Sequence, residues 1–271
     1  MPDQYAVIGN PVAHSKSPQI HAEFAHQTGQ SLTYDRLLAP AAGFVATVEA
    51  FRGRGGLGAN VTLPFKGEAY AYAGRLSDRA RAAQAVNTLK FEGDTVIGEN
   101  TDGAGLVNDL AHNCGCSVTG KRLLLLGAGG AARGVILPLL ELRPASLTIA
   151  NRTSDKAVAL AQYFDSGLDA STYAALAGCR FDLVINATSA SLTGSQLPLP
   201  SQLFAPGALA YDMMYGKGET PFLSFSRAEG AATLADGLGM LVEQAAEAFF
   251  FWRGIRPDTA PVLNLLRQGT A

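Results

Sequence analysis

Arg122-Leu123-Leu124-Leu125-Leu126-Gly127-Ala128-Gly129-Gly130-Ala131-Ala132 is the stretch whose reading decides the fold. Its leucines form a fully apolar strand, a glycine-rich turn follows at once, and a helical pattern runs over residues 131–142. Gly127, Gly129 and Ala132 match G-x-G-x-x-A between strand and helix. The first glycine permits the tight turn. The second removes a side chain where a pyrophosphate approaches the backbone, and the small third position lets helix and strand pack closely. Free amides and the helix dipole favour phosphate at such a helix start. Gly127, Ala128, Gly129, Gly130 and Ala131 are therefore candidate dinucleotide contacts, with a purely structural glycine turn as the alternative. Pro138 is expected either to kink the helix or to sit where its missing donor does little harm.

Downstream, a strand over 147–150 ends in Ala150-Asn151-Arg152-Thr153, with Lys156 one turn into a helix over 154–164. NAD sites place an acidic residue at this strand end, on the ribose 2′-hydroxyl. An acid would repel a 2′-phosphate, whereas Arg152 and Lys156 attract one, so NADP is the expected cofactor. A solvated arginine beside a Thr153 or Ser154 helix cap is the alternative. Further strands are expected over 181–185 and 208–213, the first followed by Asn186-Ala187-Thr188-Ser189 at the carboxyl edge where cofactors lie. A helix over 238–252 ends in Phe249-Phe250-Phe251-Trp252, too apolar for an exposed surface, and is expected to return to the first part of the chain.

Upstream, strands over 5–9, 32–37 and 57–61 alternate with helices over 17–27, 44–52 and 64–72, the last with Pro64 in its first turn. Residues 88–91 and 96–98 form a hairpin around Glu92-Gly93-Asp94. A helix over 103–112 leads into the second unit. The alternation implies mostly parallel sheets covered by helices, an α/β class. Polar residues cluster in Ser15-Lys16-Ser17-Pro18, Asn60-Val61-Thr62-Leu63-Pro64-Phe65-Lys66, Ala85-Val86-Asn87-Thr88 and Gly98-Glu99-Asn100-Thr101-Asp102-Gly103. One amine, one carboxylate and several hydroxyl and amide donors, followed by a dinucleotide turn, suggest ketone–alcohol redox on a small polyhydroxylated substrate. Taken alone, Lys66 also reads as a solvated helix lysine, Asp102 as a helix N-cap, and Ser17 as the cap of its Ser-Pro helix.

Composition narrows the classes. The chain has 271 residues, 48% of them hydrophobic, and a net charge of -2, with Lys and Arg scattered. Length and core suit one large or two medium domains. No basic patch favours nucleic acid, and Met1-Pro2-Asp3-Gln4-Tyr5 is unlike a signal peptide. Residues 123–142 are interrupted by glycines, Pro138 and Arg133, so no stretch has the roughly 18 uninterrupted apolar residues of a membrane span. Three cysteines, Cys114, Cys116 and Cys179, are the wrong parity for a disulfide framework. A cytoplasmic protein is expected, with no metal and with Cys114 and Cys116 as ordinary thiols.

These segments, with Tyr211-Asp212-Met213-Met214-Tyr215 and Asp236-Gly237-Leu238-Gly239-Met240 leading to Gln244, resemble the shikimate dehydrogenase family over essentially the whole chain and in family order. The resemblance implies reversible reduction of 3-dehydroshikimate to shikimate with NADPH in aromatic amino-acid biosynthesis. It also implies two domains with the active-site cleft between them: a substrate domain of residues 1–102 and 238–271, and a Rossmann-type NADP domain of residues 103–237. By the same resemblance Ser15 and Ser17 bind the carboxylate, and Thr62, Asn87, Asp102 and Gln244 bind ring hydroxyls with Tyr215 close by. Lys66 is then the proton donor, with Asp102 beside it. Asp78, Asn151, Arg152, Thr153, Lys156, Thr188, Met213 and Gly237 join the glycine turn around the cofactor. The chain is expected as a monomer or homodimer. Gln84 and Ser191 depart from the family pattern, each standing where glycine is common. A quinate/shikimate dehydrogenase of broader range is the alternative enzyme. A silent NADP sensor is a third reading, disfavoured because Lys66 and Asp102 are both intact.

Overall fold

Leucines at four consecutive positions have no polar face to offer water, and the structure buries both of their faces. In strand Arg122–Leu126, Leu123 and Leu125 enter one apolar cluster and Leu124 and Leu126 another on the opposite side of the sheet. Each fully buried leucine contributes on the order of 1.5–3 kcal/mol. A strand covered on both sides is the signature of a parallel sheet with helices on each face.

The computed structural model describes residues 1–164, 167–216 and 218–268, the side chain of Leu192 excepted. They form two compact units: Met1–Gly105 with Val242–Leu266, and Leu106–Leu241 with the chain end from Arg267.

The first unit is built from β1 (Asp3–Gly9), α1 (Ser17–Thr28), β2 (Leu32–Leu38), α2 (Phe44–Gly53), β3 (Gly56–Val61), α3 (Lys66–Tyr72), β4 (Arg75–Leu76), α4 (Asp78–Ala83), β5 (Thr88–Glu92), β6 (Thr95–Glu99) and the start of α5 (Asp102–Asn108). Its sheet runs β2-β1-β3-β5-β6-β4. The β1–β2, β1–β3 and β4–β6 pairs are parallel, and the β5–β6 hairpin is inserted antiparallel. From β1 the chain winds outward to β2, then returns to β3 on β1's other side. The carboxyl ends of β1 and β3 thus form a topological switch point, the usual seat of ligands in such sheets.

The second unit opens with the end of α5 and a π-helical turn (Asp109–Asn113) and contains β7 (Arg122–Leu126), α6 (Gly130–Glu141), β8 (Ser146–Ala150), α7 (Ser154–Phe164), β9 (Asp169–Ser171), β10 (Phe181–Asn186), β11 (Phe204–Asp212), α8 (Pro221–Ala228) and β12 (Thr233–Asp236). Its order, β12-β11-β10-β7-β8-β9, is parallel throughout. This is the Rossmann arrangement, with its switch point between β7 and β10. Helix α9 (Leu238–Arg253) leads back, and α10 (Ala260–Gln268) closes the described chain.

Three expectations change. Pro64 stands before α3 in a cis peptide with Leu63, not in the helix's first turn, so Lys66 itself opens the helix. The helix expected over 103–112 becomes π-helical from Asp109, where a buried Asp109 carboxylate accepts from the Tyr211 hydroxyl and from Asn113 Nδ2. In the aromatic run closing α9, Phe249 and Trp252 are buried but Phe250 is 47% exposed, because only one side of the helix faces the core. Pro138 lies inside α6, which continues through it.

Trp252 packs on Tyr5 and donates through Nε1 to the Leu89 carbonyl at 2.9 Å, which fixes the end of α9 on the first sheet. Beside it, His21 is fully buried. Its imidazole stacks on Tyr34 at 4.3 Å and is walled by Phe24, Phe249 and Trp252.

Candidate functional site

At the switch point of the first sheet, Phe65 anchors the start of α3: its ring is fully buried and stacks on Phe44 at 5.4 Å. The next residue, Lys66, opens this short helix. A cation in a first turn opposes the helix dipole, so this position is offset by something else. The partner is Asp102, with Lys66 Nζ 2.6 Å from Asp102 Oδ2. Side-chain exposures of 30% and 17% leave the pair reachable by a small ligand. Asp102 is the first residue of α5, an end that favours a carboxylate. Its oxygens are occupied by Lys66 and by Asn87 Nδ2 (2.8 Å), so it acts as a partner to these groups and not as a side-chain cap. Its own N–H is held by Asn100 Oδ1 at 3.1 Å.

Asn87, 3% exposed, is the hub. Its amide nitrogen donates to Asp102 and to Thr101 Oγ1 (3.0 Å), with Gln244 Oε1 at 3.4 Å. Its carbonyl oxygen accepts from the Thr101 N–H at 2.8 Å. Gln244 also accepts from Thr101 at 3.4 Å, so α9 contributes to the cluster from the far end of the sequence. Ser15 and Ser17 meet at 3.1 Å between their hydroxyls. The N-cap of α1 is Lys16, and the Ser15 hydroxyl accepts from the Ser17 N–H, so the Ser17 hydroxyl is not used for capping. Thr62 is half-buried just past the end of β3.

Residues absent from the expected site complete this web. Tyr34 on β2 donates to Asn60 Oδ1 at 2.6 Å and contacts Ser17. Asn60 Nδ2 donates to the Asn87 carbonyl and to Thr88 Oγ1. The connection runs Ser17, Tyr34, Asn60, Asn87, Asp102, Lys66. Burial pushes the Tyr34 phenol well above its ordinary range and keeps it a neutral donor. Asn60 and Thr101 lie in the polar runs that flagged the site, whereas Tyr34 carries no local signal: it is one aromatic on a strand.

At the second switch point the backbone dominates. Gly127 has φ 105, a conformation closed to L side chains, and its N–H donates to the Ala150 carbonyl at 2.8 Å. A Cβ there would also meet Thr188 Cγ2 at 3.1 Å. Gly129 is the N-cap of α6, and open space surrounds Gly129 and Gly130, where a phosphate group would lie against free amides. Ala128 is half-buried, Ala131 is exposed, and Ala132 is fully buried against the sheet. Thr188 is set by two bonds to Asn186 Oδ1, at 3.0 Å from its N–H and 2.7 Å from its hydroxyl. Past β8, Asn151 Nδ2 donates to the Thr153 carbonyl at 2.9 Å. Arg152, Thr153 and Lys156 are exposed, and among the described residues neither cation pairs with a carboxylate. Glycine amides, two available cations and Thr188 fit a phosphorylated dinucleotide.

Met213 and Gly237 come together: a Cβ on Gly237 would sit 2.2 Å from the Met213 carbonyl oxygen, and the Gly237 N–H donates to the Met214 carbonyl. Beneath them Asp212, fully buried, accepts from Asn186, Ser191, Thr220 and the Met214 N–H. Ser191 therefore adds a donor where glycine has none. Gln84 adopts φ 50 at the C-cap of α4, a left-handed position that explains why glycine suits it. Tyr215 belongs to the second unit, where burial and Asp236 raise its phenol pKa. Asp78 lies in the first unit at the start of α4, exposed and paired with Arg81 at 2.6 Å. Cys114, Cys116 and Cys179 are free thiols, and burial pushes Cys114 up to about 12.

Three family matches tile the chain. Residues 7–89 match the shikimate dehydrogenase substrate binding domain, residues 109–194 the shikimate / quinate 5-dehydrogenase family, and residues 237–267 the shikimate 5'-dehydrogenase C-terminal domain. The shikimate dehydrogenase (NADP(+)) of Dechloromonas aromatica (strain RCB) is 66% identical over 269 residues, which is 98% of each chain. Among solved structures, an Ael1 enzyme from Pseudomonas putida aligns with TM-score 0.94 and 52% identity over 97% of this chain and 98% of that one. The shikimate 5-dehydrogenase of Thermus thermophilus in complex with NADP(H) and shikimate aligns with TM-score 0.88 and 34% identity over 98% and 99%.

Proposed function

The chain belongs to the shikimate dehydrogenase family, and from that premise we propose that it reduces 3-dehydroshikimate to shikimate reversibly with NADPH, in the cytoplasm, on the route to aromatic amino acids. The observation that carries the reading is the 2.6 Å contact between Lys66 Nζ and Asp102 Oδ2 at the switch point of the first sheet. The first unit takes the substrate and the second the cofactor. The domain edges are proposed at residues 1–102 with 238–271, and 103–237.

When bound on the glycine turn, the dinucleotide supplies a hydride to the ketone carbon and accepts one from the alcohol in reverse. Hydride addition leaves negative charge on the carbonyl oxygen. Lys66 Nζ donates a proton to that oxygen and places positive charge beside it while charge develops. Asp102 Oδ2 holds Nζ in place, and Asn87 in turn holds Asp102 through Oδ1. Ser15 and Ser17 offer hydroxyls to the carboxylate, and Thr62, Asn87, Asp102 and Gln244 orient the ring hydroxyls, with Tyr215 alongside. Arg152 and Lys156 attract the 2′-phosphate, and Asn151 and Thr153 shape that strand end. Thr188, Met213, Gly237 and Asp78 complete the cofactor's surroundings.

A second reading has its own support, since residues 109–194 match a family named for both shikimate and quinate. Quinate adds a hydroxyl and a tetrahedral carboxyl-bearing carbon. Following NADP reduction at 340 nm with shikimate and quinate in parallel tests both. Turnover of shikimate alone is the expected outcome, comparable kcat/KM for both substrates establishes the broader enzyme, and no turnover of either overturns the proposal.

A further inference from the structure

Arg79 and Glu99 belong to no group assigned above to substrate or cofactor, yet they are connected to both sides of the polar cluster. Glu99 closes β6, three residues before Asp102, with its side chain 8% exposed. One carboxylate oxygen accepts from the Ser77 hydroxyl at 2.6 Å, Arg79 Nε at 3.2 Å and the Asn100 N–H at 2.7 Å. The other faces the Arg79 guanidinium at 3.2 Å. Asn100 is the residue whose Oδ1 holds the Asp102 N–H, while its Nδ2 donates to the Ala85 carbonyl at 3.0 Å. One buried carboxylate therefore fixes the backbone from which Asp102 projects.

The same guanidinium reaches α9. Arg79 pairs with Glu247 at 3.1 Å, Glu247 with Arg256 at 2.6 Å, and Arg256 with Glu243 at 3.1 Å; Glu243 also accepts from the Thr259 hydroxyl at 2.6 Å. Glu243 and Glu247 lie one turn apart on α9 and bracket Gln244, whose Oε1 meets Asn87 and Thr101. Charges alternate along the whole ladder, from Glu99 through Arg79, Glu247 and Arg256 to Glu243. As a source of stability such a ladder is poor, because desolvating its ions consumes most of their attraction. Its strict demands on direction and distance instead define geometry, and it runs from the end of β6, three residues before Asp102, to α9, which carries Gln244.

We propose that Arg79 and Glu99 are positioning residues for the reaction: through Asn100 they set Asp102 against Lys66, and through Glu247 they set Gln244 against Asn87. The proposal rests on the roles given to Lys66 and Asp102 above. Steady-state kinetics of Arg79→Gln, Arg79→Lys and Glu99→Gln, each alone and combined with Asp102→Asn, test it. Arg79→Gln is expected to lower kcat about 10- to 100-fold, the scale of a displacement of about 1 Å at a reacting group, with KM for NADP within about twofold. Arg79→Lys, which keeps the charge, recovers part of that loss. In the Asp102→Asn background, Arg79→Gln costs clearly less than it does in the wild type, because one of the two groups it positions is already disabled. Losses that multiply in full in the double variant overturn the proposal, as does a folded Arg79→Gln with wild-type kcat. If Arg79→Gln does not fold, the same comparison made with Glu99→Gln decides in the same way. Lys66→Ala assayed alongside separates the two ideas. Wild-type kcat in Lys66→Ala overturns the acid–base role, whereas its loss with Arg79→Gln unaffected overturns the positioning role alone.

Discussion

The two switch points solve the same problem, presenting polar groups at the carboxyl ends of parallel strands, one in a mixed sheet and one in a wholly parallel sheet, with different materials. In the first unit the presenting atoms are side chains, and nearly every one is held by another: Lys66 by Asp102, Asp102 by Asn87 and Asn100, Asn60 by Tyr34. In the second unit the presenting atoms are backbone amides shaped by Gly127, Gly129 and Gly130, with Arg152 and Lys156 exposed nearby. A reacting centre must fix a proton donor to within a fraction of an ångström, which a web of side chains achieves. A phosphate needs several diffuse donors and a little charge, which a turn at a helix start provides. Damage to the first site should therefore appear in kcat, and damage to the second in cofactor KM or in stability.

The largest effect expected is at Lys66. Lys66→Ala should reduce kcat by about 10²- to 10⁴-fold, roughly 3–5 kcal/mol of barrier, with KM for shikimate within a few-fold. Steady-state kinetics on protein shown folded by circular dichroism checks this, and a variant keeping more than about a tenth of wild-type kcat removes Lys66 from the acid–base role. Next comes Arg152. A charge-assisted bond is worth about 1.5–3 kcal/mol, so Arg152→Ala should erode the preference for NADP over NAD by about 10- to 100-fold in kcat/KM with kcat nearly unchanged. An unaltered NADP/NAD ratio would show that the 2′-phosphate is read elsewhere. Gly127→Ala comes third: with φ 105, an added Cβ should cost of order 1–3 kcal/mol, read as a lower Tm together with a raised KM for NADP. An unshifted Tm would mean that the turn is not built as described.

Much of this is legible in the chain. Both switch points derive from apolar strands alternating with helical patterns; the glycine turn directly follows an apolar strand, and Lys66 and Asp102 stand inside dense polar runs. The rest has local reasons to stay hidden. Tyr34 is a single ring on a strand, and only the pairing of β1 with both β2 and β3 brings its hydroxyl to Asn60. Arg79 and Glu99 look like ordinary charges, because Arg79's partner on α9 lies 168 residues away and a contact at that separation leaves no local pattern. Pro64 suits a helix's first turn by its fixed φ, but the chain uses it before the helix. Phe250 shows that apolar runs on helices resolve by face, not by average.

His21 gives the first unit a dependence on acidity. Sealed among Tyr34, Phe24, Phe249 and Trp252, its imidazole has a pKa pushed by burial from 6.5 down to about 3, against the weaker opposing pull of Asn60. Between those values the unfolded chain takes up a proton that the folded chain refuses, so stability rises with pH across the window and is lost as pH falls below 6.5. The loss approaches about 1.4 kcal/mol per pH unit, or about 2 kcal/mol at about pH 5. His21→Phe carries no such proton, and its unfolding free energy should fall less steeply than that of the wild type between about pH 7 and 5; parallel curves would dismiss the effect. The ring that backs Tyr34 thus links the folding of this unit to proton uptake.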